Sequence, residues 1–370
     1  MRTPLAAALL AALAACGPYV PPLPPAPPAD SLPAPRTAPD GASLQEQNSR
    51  TTARLQAVSV VSEKVIWVSG TGGTFAVSTN GGASWRAGIV PAADSLQFRD
   101  VHAVDEKTAY LLAAGNGTQS RIYKTVDAGQ NWQIQFINRD KNAFYDCFAF
   151  WDAENGLAFG DNVNGVFTVL LTKDGGQHWR LISDPDSAAA SPVPPATQGE
   201  GGFAASGTCV ATVGKDAAYI ATGAGTESRI LYTPDRGRTW QSRSTPITQG
   251  TNTTGHTSVA FADERVGLAV GGDIGAATGT GGRVVRTTDG GATWSAGGEP
   301  TFAGAAYGVA YVPGSKAMAV AVGPGGASVT RDDGRTWTAL DSLSYWSAGF
   351  ANAKAGWLVG PNGRITKVTF

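Results

Sequence analysis

An eight-residue motif that recurs six times limits the possible folds of this chain more than any other feature. The motif reads Ser/Thr-x-Asp-x-Gly-x-x-Trp, as in Thr287–Trp294, and its first copy carries Asn80 in the acidic position. The closing tryptophans follow one another at intervals of 43 to 61 residues. A motif that returns once per interval of this size indicates a repeat architecture, in which each copy belongs to one supersecondary unit. The residues at the acidic and closing positions are Asn80, Asp127, Asp174, Asp235, Asp289, Asp332, Trp85, Trp132, Trp179, Trp240, Trp294 and Trp337.

Each position of the motif has a physical reason. A short carboxylate in a turn accepts hydrogen bonds from backbone N–H groups ahead of it, and the following glycine supplies the positive φ of the turn. The tryptophan starts the next strand and buries a large ring between neighbouring sheets. The motif therefore predicts a hairpin turn, and we interpret its acidic residues as structural and not catalytic. It resembles the Asp-box (BNR) repeat of sialidase-like β-propellers.

The segments between the motifs predict an all-β fold, a seven-bladed β-propeller of four-stranded antiparallel blades. Short β-branched and apolar runs separated by Gly and Asn are typical of strands. The last blade offers only three strands, and an incomplete blade would leave an unpaired edge. We therefore expect a strand within Ser43–Arg50 to complete it, with six or eight blades as alternatives. The first strands of five blades align with Ala at the fourth place, in Asp100–Val104, Asp146–Phe150, Thr208–Thr212, Thr257–Phe261 and Tyr307–Tyr311.

The first 42 residues have the composition of an export signal followed by a linker. Arg2, a short apolar run and small residues predict a signal peptide over residues 1–15. Cys16 ends a stretch that resembles a bacterial lipobox, and the alternative is an ordinary cleaved signal with a chance cysteine. Acyl chains on Cys16 would anchor the protein at the cell envelope, and Gly17 favours the outer membrane facing the periplasm. Residues 16–42 are Pro-rich and are expected to form an extended tether, or a disordered leader, before a propeller at 43–370.

Composition and charge argue against several functional classes. The 370 residues carry a formal net charge of −1, which gives no electrostatic reason to expect nucleic-acid binding. With three His and no Cys-x-x-Cys or His-Glu-x-x-His spacing, we expect no metal site. Glycine pairs such as Gly281-Gly282 follow no strand–helix pattern, so we expect neither a phosphate loop nor a cofactor.

Cys147 and Cys209 occupy the same predicted register on the first strands of neighbouring blades. Export permits a disulfide between them. Equivalent strand positions point in the same direction around the ring, however, and this geometry favours two small buried core residues. Both interpretations stay open from the sequence.

The longest loops are expected on the face opposite the motif, at Ser183–Gly202, Thr245–His256 and Asp273–Gly282. Long loops on one rim of a rigid scaffold commonly carry binding sites, and neutral drift of Gly- and Ala-rich loops is the alternative. Asp161 and Asp273 follow equivalent glycines, so they are placed to contact a cation, a sugar or a basic group, or else to serve as ordinary turn residues. The candidate binding residues of this rim are Arg99, Asp100, Tyr145, Asp146, Asp161, Asn162, His256 and Asp273.

Two families with Asp-box propellers set the functional alternatives. Sialidases use a Tyr nucleophile with carboxylates, but their Phe/Tyr-Arg-Ile-Pro motif is missing, since the nearest match, Phe98-Arg99-Asp100, lacks Ile-Pro. The recurring Phe-x-Asp…Gly-x-x-Gly…Thr-x-Asp-x-Gly-x-x-Trp unit resembles the photosystem II assembly/stability factor group over Leu55–Phe370. That resemblance implies a non-enzymatic scaffold that grips membrane-protein segments, and it assigns no binding residue here.

The sequence therefore predicts a monomeric envelope lipoprotein whose propeller binds an envelope protein without catalysis. An exo-glycosidase or sialidase-like hydrolase is one alternative, and a carbohydrate-binding propeller that recognises a glycan is another. We expect contact with the membrane through the N-terminal lipid.

Overall fold

The computed structural model describes residues 32–182, 192–315 and 317–370, whose regular structure is almost entirely β-strand. A short 3₁₀ turn lies at Gly117–Gln119. The predicted signal peptide, Cys16 and part of the Ser183–Gly202 insertion fall outside these residues. Within them, no helix has the length and apolarity needed to span a bilayer. In chain order the strands are β1 (Arg36–Thr37), β2 (Ser43–Asn48), β3 (Leu55–Val60), β4 (Ile66–Gly70), β5 (Thr74–Ser78), β6 (Arg86–Ile89), β7 (Phe98–Ala103), β8 (Ala109–Ala113), β9 (Arg121–Thr125), β10 (Gln133–Ile137), β11 (Tyr145–Phe150), β12 (Gly156–Val163), β13 (Val166–Thr172), β14 (Arg180–Leu181), β15 (Val210–Val213), β16 (Ala217–Ala221), β17 (Arg229–Thr233), β18 (Gln241–Ser244), β19 (Thr254–Phe261), β20 (Gly267–Asp273), β21 (Val284–Thr287), β22 (Ser295–Ala296), β23 (Gly308–Tyr311), β24 (Ala319–Gly323), β25 (Gly326–Thr330), β26 (Thr338–Asp341), β27 (Ser347–Asn352), β28 (Ala355–Val359) and β29 (Arg364–Thr369).

Seven antiparallel sheets follow one another along the chain, which confirms the prediction of a seven-bladed all-β propeller. Blades 1 to 6 each contain four strands paired in sequence order, from β3–β6 in blade 1 to β23–β26 in blade 6. The first strand of each blade contacts the first strands of its two neighbours, and β27 of blade 7 contacts β3 of blade 1. The seven first strands therefore form a closed ring around the central channel.

Blade 7 combines strands from both ends of the chain, as predicted. β27, β28 and β29 are completed by β2, which pairs with β29 along its whole length, and β1 adds a fifth strand outside β2. Arg36 in β1 lies in the segment predicted to be tether. Its Nη2 donates to Asp341 Oδ2 at 2.6 Å and to Glu46 Oε1 at 3.1 Å. Arg36 therefore ties the outermost strand of blade 7 to blade 6.

The Asp-box turns are held by their own side chains. In blade 5 Thr287 Oγ1 donates to Asp289 Oδ1 at 2.8 Å and accepts from the Gly291 N–H at 2.9 Å, while Asp289 Oδ1 accepts from the Thr293 N–H at 3.0 Å. Hydrogen bonds from the Thr293 side chain and backbone lower the pKa of Asp289 to about 2. In blade 1 Asn80 Oδ1 accepts from the Ser84 N–H at 2.9 Å in the same way. The carboxylate is thus used to fix the turn.

Cores form between blades, where the indoles of the boxes pack against the preceding sheet. The ring of Trp132 in blade 2 lies 5.1 Å from that of Phe75 and 6.3 Å from that of Trp67 in blade 1, measured between centroids. A hydroxyl also links neighbouring blades, since Tyr219 Oη in blade 4 donates to the Gly290 carbonyl in blade 5 at 2.8 Å. Burial of these aromatic rings between sheets holds the blades in their order.

A disulfide joins Cys147 of blade 3 to Cys209 of blade 4, with a Cα–Cα distance of 5.9 Å. Of the two interpretations that the sequence left open, the disulfide is therefore correct, and the geometric argument that favoured two small buried core residues is wrong. Cys147 directly follows an irregularity in the pairing of β11 with β12, whereas Cys209 comes just before the first residue of β15. The two cysteines stand in equivalent register, but a bulge precedes Cys147 and none is seen in the pairing of β15 with β16, and this difference in local backbone direction allows the side chains to point toward each other. Both cysteines are fully buried.

The strand registers give the propeller two distinct faces. In blade 1 Leu55 pairs with Gly70 at one end, whereas Val60 pairs with Ile66, and Ile66 with Ser78, at the other. The Asp-box follows Ser78, so the boxes lie on the face opposite the beginnings of the first strands. We call these the box face and the entry face.

Candidate functional site

Seven residues at equivalent positions of the first strands surround the entry-face end of the channel. In blades 1, 2, 3 and 5 this position is a bulge, because one residue is skipped in the pairing with the second strand. Bulges turn a side chain away from the regular pleat and are frequent near functional sites. The strand registers place the equivalent residues of the other blades directly before β23 and β27 and near the start of β15. This axial ring consists of Gln56, Arg99, Asp146, Thr208, Thr257, Tyr307 and Trp346.

The predicted alignment of the first strands is wrong by one residue in blade 2. Ala103 pairs with Ala109, as Phe150 pairs with Gly156 in blade 3. Arg99, and not Asp100, is therefore the counterpart of Asp146. The bulge, which sequence periodicity does not show, accounts for the position of Arg99 in the ring.

A cavity of about 260 Å³ opens on the entry face inside this ring. Its rim is aromatic and cationic: the rings of Tyr307 and Trp346 meet edge to face at 5.4 Å, and the Arg54 guanidinium lies 4.8 Å from the centre of the Trp346 ring. We call this cavity the axial mouth. Its lining also includes Gln56, Arg99, Phe144, Asp146, Asp161, Ile274 and residues 202–205.

The floor of the axial mouth is a segment of the chain itself, Gly201–Gly207, which crosses the channel ahead of blade 4. Gly201 pairs with Gly223 beside it. Farther along, Ser206 Oγ donates to the Tyr307 carbonyl at 2.7 Å, and Ser347 Oγ donates to the Ser206 carbonyl at 3.0 Å. The crossing segment thus reaches from blade 4 to blades 6 and 7, and residues 201–206 are buried.

Three of the predicted rim residues bind the backbone of this segment or of Glu200 before it. Arg99 Nη1 donates to the Ala204 carbonyl at 3.1 Å, and Asp161 Oδ1 accepts from the Gly202 N–H at 2.8 Å. The Asn162 amide donates to the Glu200 carbonyl. A fourth, Asp146, lines the same cavity, but its Oδ2 has no hydrogen-bond partner among the described residues. The structure therefore brings Arg99, Asp146, Asp161 and Asn162 together around the crossing segment.

The other four predicted rim residues lie elsewhere. His256 is fully buried, with Nε2 2.8 Å from Thr245 Oγ1, so the prediction of a rim position is not met. Tyr145 is buried against Phe136, with 5.3 Å between ring centroids, and Asp100 is buried and accepts from the Phe148 N–H at 2.8 Å. Asp273 accepts from the Gly275 N–H at 2.9 Å, which makes it a turn residue.

The carboxyl groups near the channel have unusual acidities. Burial raises the pKa of Asp161 to about 6, against the lowering effect of the Gly202 N–H. Burial raises the pKa of Asp146 well above its usual range, and the neighbouring Asp161 adds to that increase while Arg99 opposes it. Burial also raises the pKa of Asp100. Among the described residues no cluster of three or more His, Cys, Asp or Glu is arranged to hold a metal ion.

Four residues of the axial mouth, Arg54, Gln56, Tyr307 and Trp346, were not predicted. Three of them belong to the axial ring, so a comparison of all seven first strands at the position of Asp146 would have found them. Arg54 lies two residues before Gln56 and could have been added as its exposed neighbour. The predicted alignment missed a one-residue offset in blade 2, where Arg99 and not Asp100 occupies this position.

Comparisons with known proteins agree with the fold. Residues 37–167 match a family model described as Photosynthesis system II assembly factor YCF48. No curated protein matches the sequence. A solved structure described as YCF48 bound to D1 peptide is 15% identical, with a TM-score of 0.59, and the alignment covers 92% of this chain and 100% of that one. A structure of YCF48 from Cyanidioschyzon merolae is also 15% identical, with a TM-score of 0.59 and coverage of 88% and 98%.

These findings confirm the resemblance to the photosystem II assembly factor group that the repeat unit indicated. The family model reaches from the residue after Arg36 into blade 3. At 15% identity, the likeness to the solved structures establishes a shared fold.

Proposed function

We propose that this propeller is a non-enzymatic binding module that holds a segment of an envelope protein at the axial mouth. The observation that carries the proposal is the rim of the mouth, where Arg54 stacks on Trp346 and Tyr307 packs against the same ring. Tryptophan, tyrosine and arginine are the residues that most often dominate the energy of protein interfaces. The mouth is open to solvent above and closed by the crossing segment below.

The size and chemistry of the mouth favour a protein segment over a small-molecule substrate. Its volume of about 260 Å³ lies below the range typical of ligand pockets. The side chains of Arg99 and Asp161, which could otherwise act on a substrate, are engaged with the backbone of the crossing segment. A partner segment lying across the rim can place one side chain in the mouth and rest its neighbours on Trp346 and Tyr307.

The related fold offers independent support. One of the two solved structures, which is 15% identical to this chain, is described as YCF48 bound to D1 peptide. A propeller of this architecture can therefore bind a peptide. The family match over residues 37–167 agrees with a role in assembly. For this chain we propose a partner in the bacterial cell envelope, because the N-terminal sequence has the features of a lipoprotein signal.

Site-specific photocrosslinking in the native host tests the proposed site. A photoreactive amino acid at the position of Arg54 is expected to capture an envelope protein that mass spectrometry can identify. The matched control carries it at Ala292, which is exposed on the Asp-box turn of blade 5 on the other face. Equal products from both positions, or none from Arg54, would contradict the proposed site. Turnover of an arylglycoside panel by the purified protein would favour the hydrolase alternative.

We also propose that the chain is lipidated at Cys16 and is anchored to the outer membrane facing the periplasm. Mass spectrometry of the purified N-terminus is expected to show acylation at Cys16, and Cys16→Ala should release the protein into the soluble periplasmic fraction. A wild-type protein that lacks acyl chains would refute the anchor while leaving the binding site untouched.

A further inference from the structure

The crossing segment lies directly on three carboxyl groups from blades 2 and 3. A Cβ atom added to Gly201 would come closer than 3.0 Å to Asp161, one added to Gly202 would come that close to Asp146, and one added to Gly207 would come that close to Asp100. The segment therefore needs glycine at each place where it passes a carboxyl group. Because three of its seven residues contact a carboxyl group, the position of the crossing segment depends on whether these groups are charged or neutral.

While the segment covers them, the three carboxyl groups have backbone N–H donors but no paired cation in the described structure: Phe148 donates to Asp100, Ala204 to Asp146 and Gly202 to Asp161. None of them forms an ion pair among the described residues. Asp146 and Asp100 are 1% and 4% exposed, and Asp146 Oδ2 has no partner in the part of the chain that is described. An uncompensated buried carboxylate is costly, so covered groups of this kind favour the neutral form.

The charged and titratable groups that face this cluster do not remove that cost. Arg99 gives Nε and Nη2 to Gln97 Oε1 and Nη1 to the Ala204 carbonyl. Arg54 stacks on Trp346 at the solvent side, and Tyr307 packs on the same ring. Glu200 forms its own buried ion pair with Arg229 at 2.6 Å, and the neighbouring His256 is bonded to Thr245 and to the carbonyl of Thr222.

Both ends of the crossing segment are fixed to the scaffold, so it can move without unfolding a blade. The Glu200–Arg229 ion pair holds the residue before it, and the disulfide at Cys209 holds the chain two residues after it. Small residues make up most of the segment, whose sequence is Gly-Gly-Phe-Ala-Ala-Ser-Gly. Displacement of its middle would admit water to Asp146, Asp161 and Gln56.

We propose that Gly201–Gly207 is a pH-sensitive strap across the central channel, closed in acid and increasingly open as the pH rises. The sign follows from proton linkage. Burial under the strap raises the pKa of Asp146, and it raises that of Asp161 to about 6, so the closed form binds more protons than the open form. Opening therefore releases protons and is favoured by higher pH. This property does not depend on the identity of any partner at the axial mouth.

Hydrogen exchange across a pH series tests the strap on the intact protein. The opening equilibrium of the amides in Gly201–Gly207, corrected for the intrinsic pH dependence of exchange, is expected to rise at least tenfold from about pH 5 to about pH 8, because one linked proton gives a tenfold change per pH unit. Amides of β5 (Thr74–Ser78) serve as an internal reference and should not change. A parallel change in β5 would mean global unfolding and would overturn the proposal.

Two isosteric variants identify the responsible groups. Asp161→Asn, and Asp146→Asn with Asp161→Asn, should flatten the pH dependence of exchange in the strap, whereas Asp273→Asn on the same face should leave it unchanged. Asp161 is partly exposed, so the single variant keeps the test available if the double variant does not fold. The same tenfold rise in the Asp161→Asn and double variants, or no rise in the wild type, would overturn the proposal.

Discussion

Nη1 of Arg99 in blade 2 lies 3.1 Å from the carbonyl oxygen of Ala204, a residue that precedes blade 4 in the chain. This hydrogen bond ties the strap to the axial ring. It also explains why Arg99, which looks in the sequence like a free rim cation, is engaged in the structure. The axial mouth therefore rests on a floor that its own ring residues hold in place.

Replacement of Arg99 tests that fastening. Arg99→Ala leaves the buried Ala204 carbonyl without its donor, and we expect the free energy of unfolding to fall by about 1–3 kcal/mol. Urea denaturation followed by tryptophan fluorescence measures the change. Arg50→Ala, at a residue for which no side-chain hydrogen bond or ion pair is seen among the described residues, is the surface control and should cost less than about 0.5 kcal/mol. Equal losses in both variants would mean that the Arg99 bond contributes nothing specific.

The Cys147–Cys209 disulfide should contribute substantially to stability, since it closes a loop whose ends are separated by 62 residues. Removal of a native disulfide typically costs about 2–5 kcal/mol. We expect Cys147→Ser with Cys209→Ser to lower the free energy of unfolding by that amount. Dithiothreitol should destabilise the wild type and leave the double variant unaffected. If the reductant acted equally on both proteins, the stabilisation could not be assigned to this bond.

The Asp-box carboxylates are expected to act on stability and not on binding. Asp289→Ala removes the acceptor of the exposed Thr293 N–H and should cost about 0.5–1.5 kcal/mol. Asp289→Asn should cost much less, because Asn80 already makes the equivalent bond to Ser84 in blade 1. Thermal unfolding compares the two variants. Loss of partner binding by a folded Asp289→Asn protein would assign the box a functional role and contradict this interpretation.

Acid should destabilise the fold through His256. Burial lowers the pKa of this imidazole from 6.5 to about 4, so the unfolded chain binds its proton first as the pH falls. Stability contributed by neutral His256 is therefore present above pH 6.5 and declines toward pH 4, by about 3 kcal/mol at the lower limit. His256→Gln should reduce this dependence, whereas His178→Gln, at an exposed box residue, should not. An unchanged pH profile in His256→Gln would show that another group is responsible; His102, whose pKa is lowered by desolvation in the same way, would be the next group to replace.

Much of the fold could be predicted because its signals are local. Each Asp-box fixes one turn with side chains two to four residues apart, as Thr287, Asp289 and Thr293 show. The count of strands in the last blade then predicted its completion by a strand within Ser43–Arg50, and β2 (Ser43–Asn48) occupies that place. Both predictions rest on local information: hydrogen bonds within one hairpin, and the rule that the edge strand of a propeller sheet is paired.

The site was less predictable because it depends on departures from regular strands. The bulges at Gln56, Arg99 and Asp146 decide which side chains reach the channel, and alternation of residue types does not show a bulge. The argument against the disulfide assumed that side chains at equivalent strand positions point in the same direction, but Cys147 and Cys209 are bonded although they stand in equivalent register. Only Gly201 and Gly202 of the strap belong to the predicted Ser183–Gly202 loop, and no sequence pattern indicated that the chain passes through the channel there.

The most direct test of the central claim is the affinity of the axial mouth for the protein segment captured by crosslinking. We predict that Trp346→Ala raises the dissociation constant of a synthetic peptide of that segment at least tenfold, as measured by isothermal titration calorimetry. A tenfold change corresponds to a loss of about 1.4 kcal/mol of binding free energy, as expected for an interface hot spot. Trp294→Ala, in the blade 5 Asp-box on the opposite face, should bind like the wild type if it folds. Unchanged affinity in a folded Trp346→Ala protein would contradict the assignment of the axial mouth as the binding site.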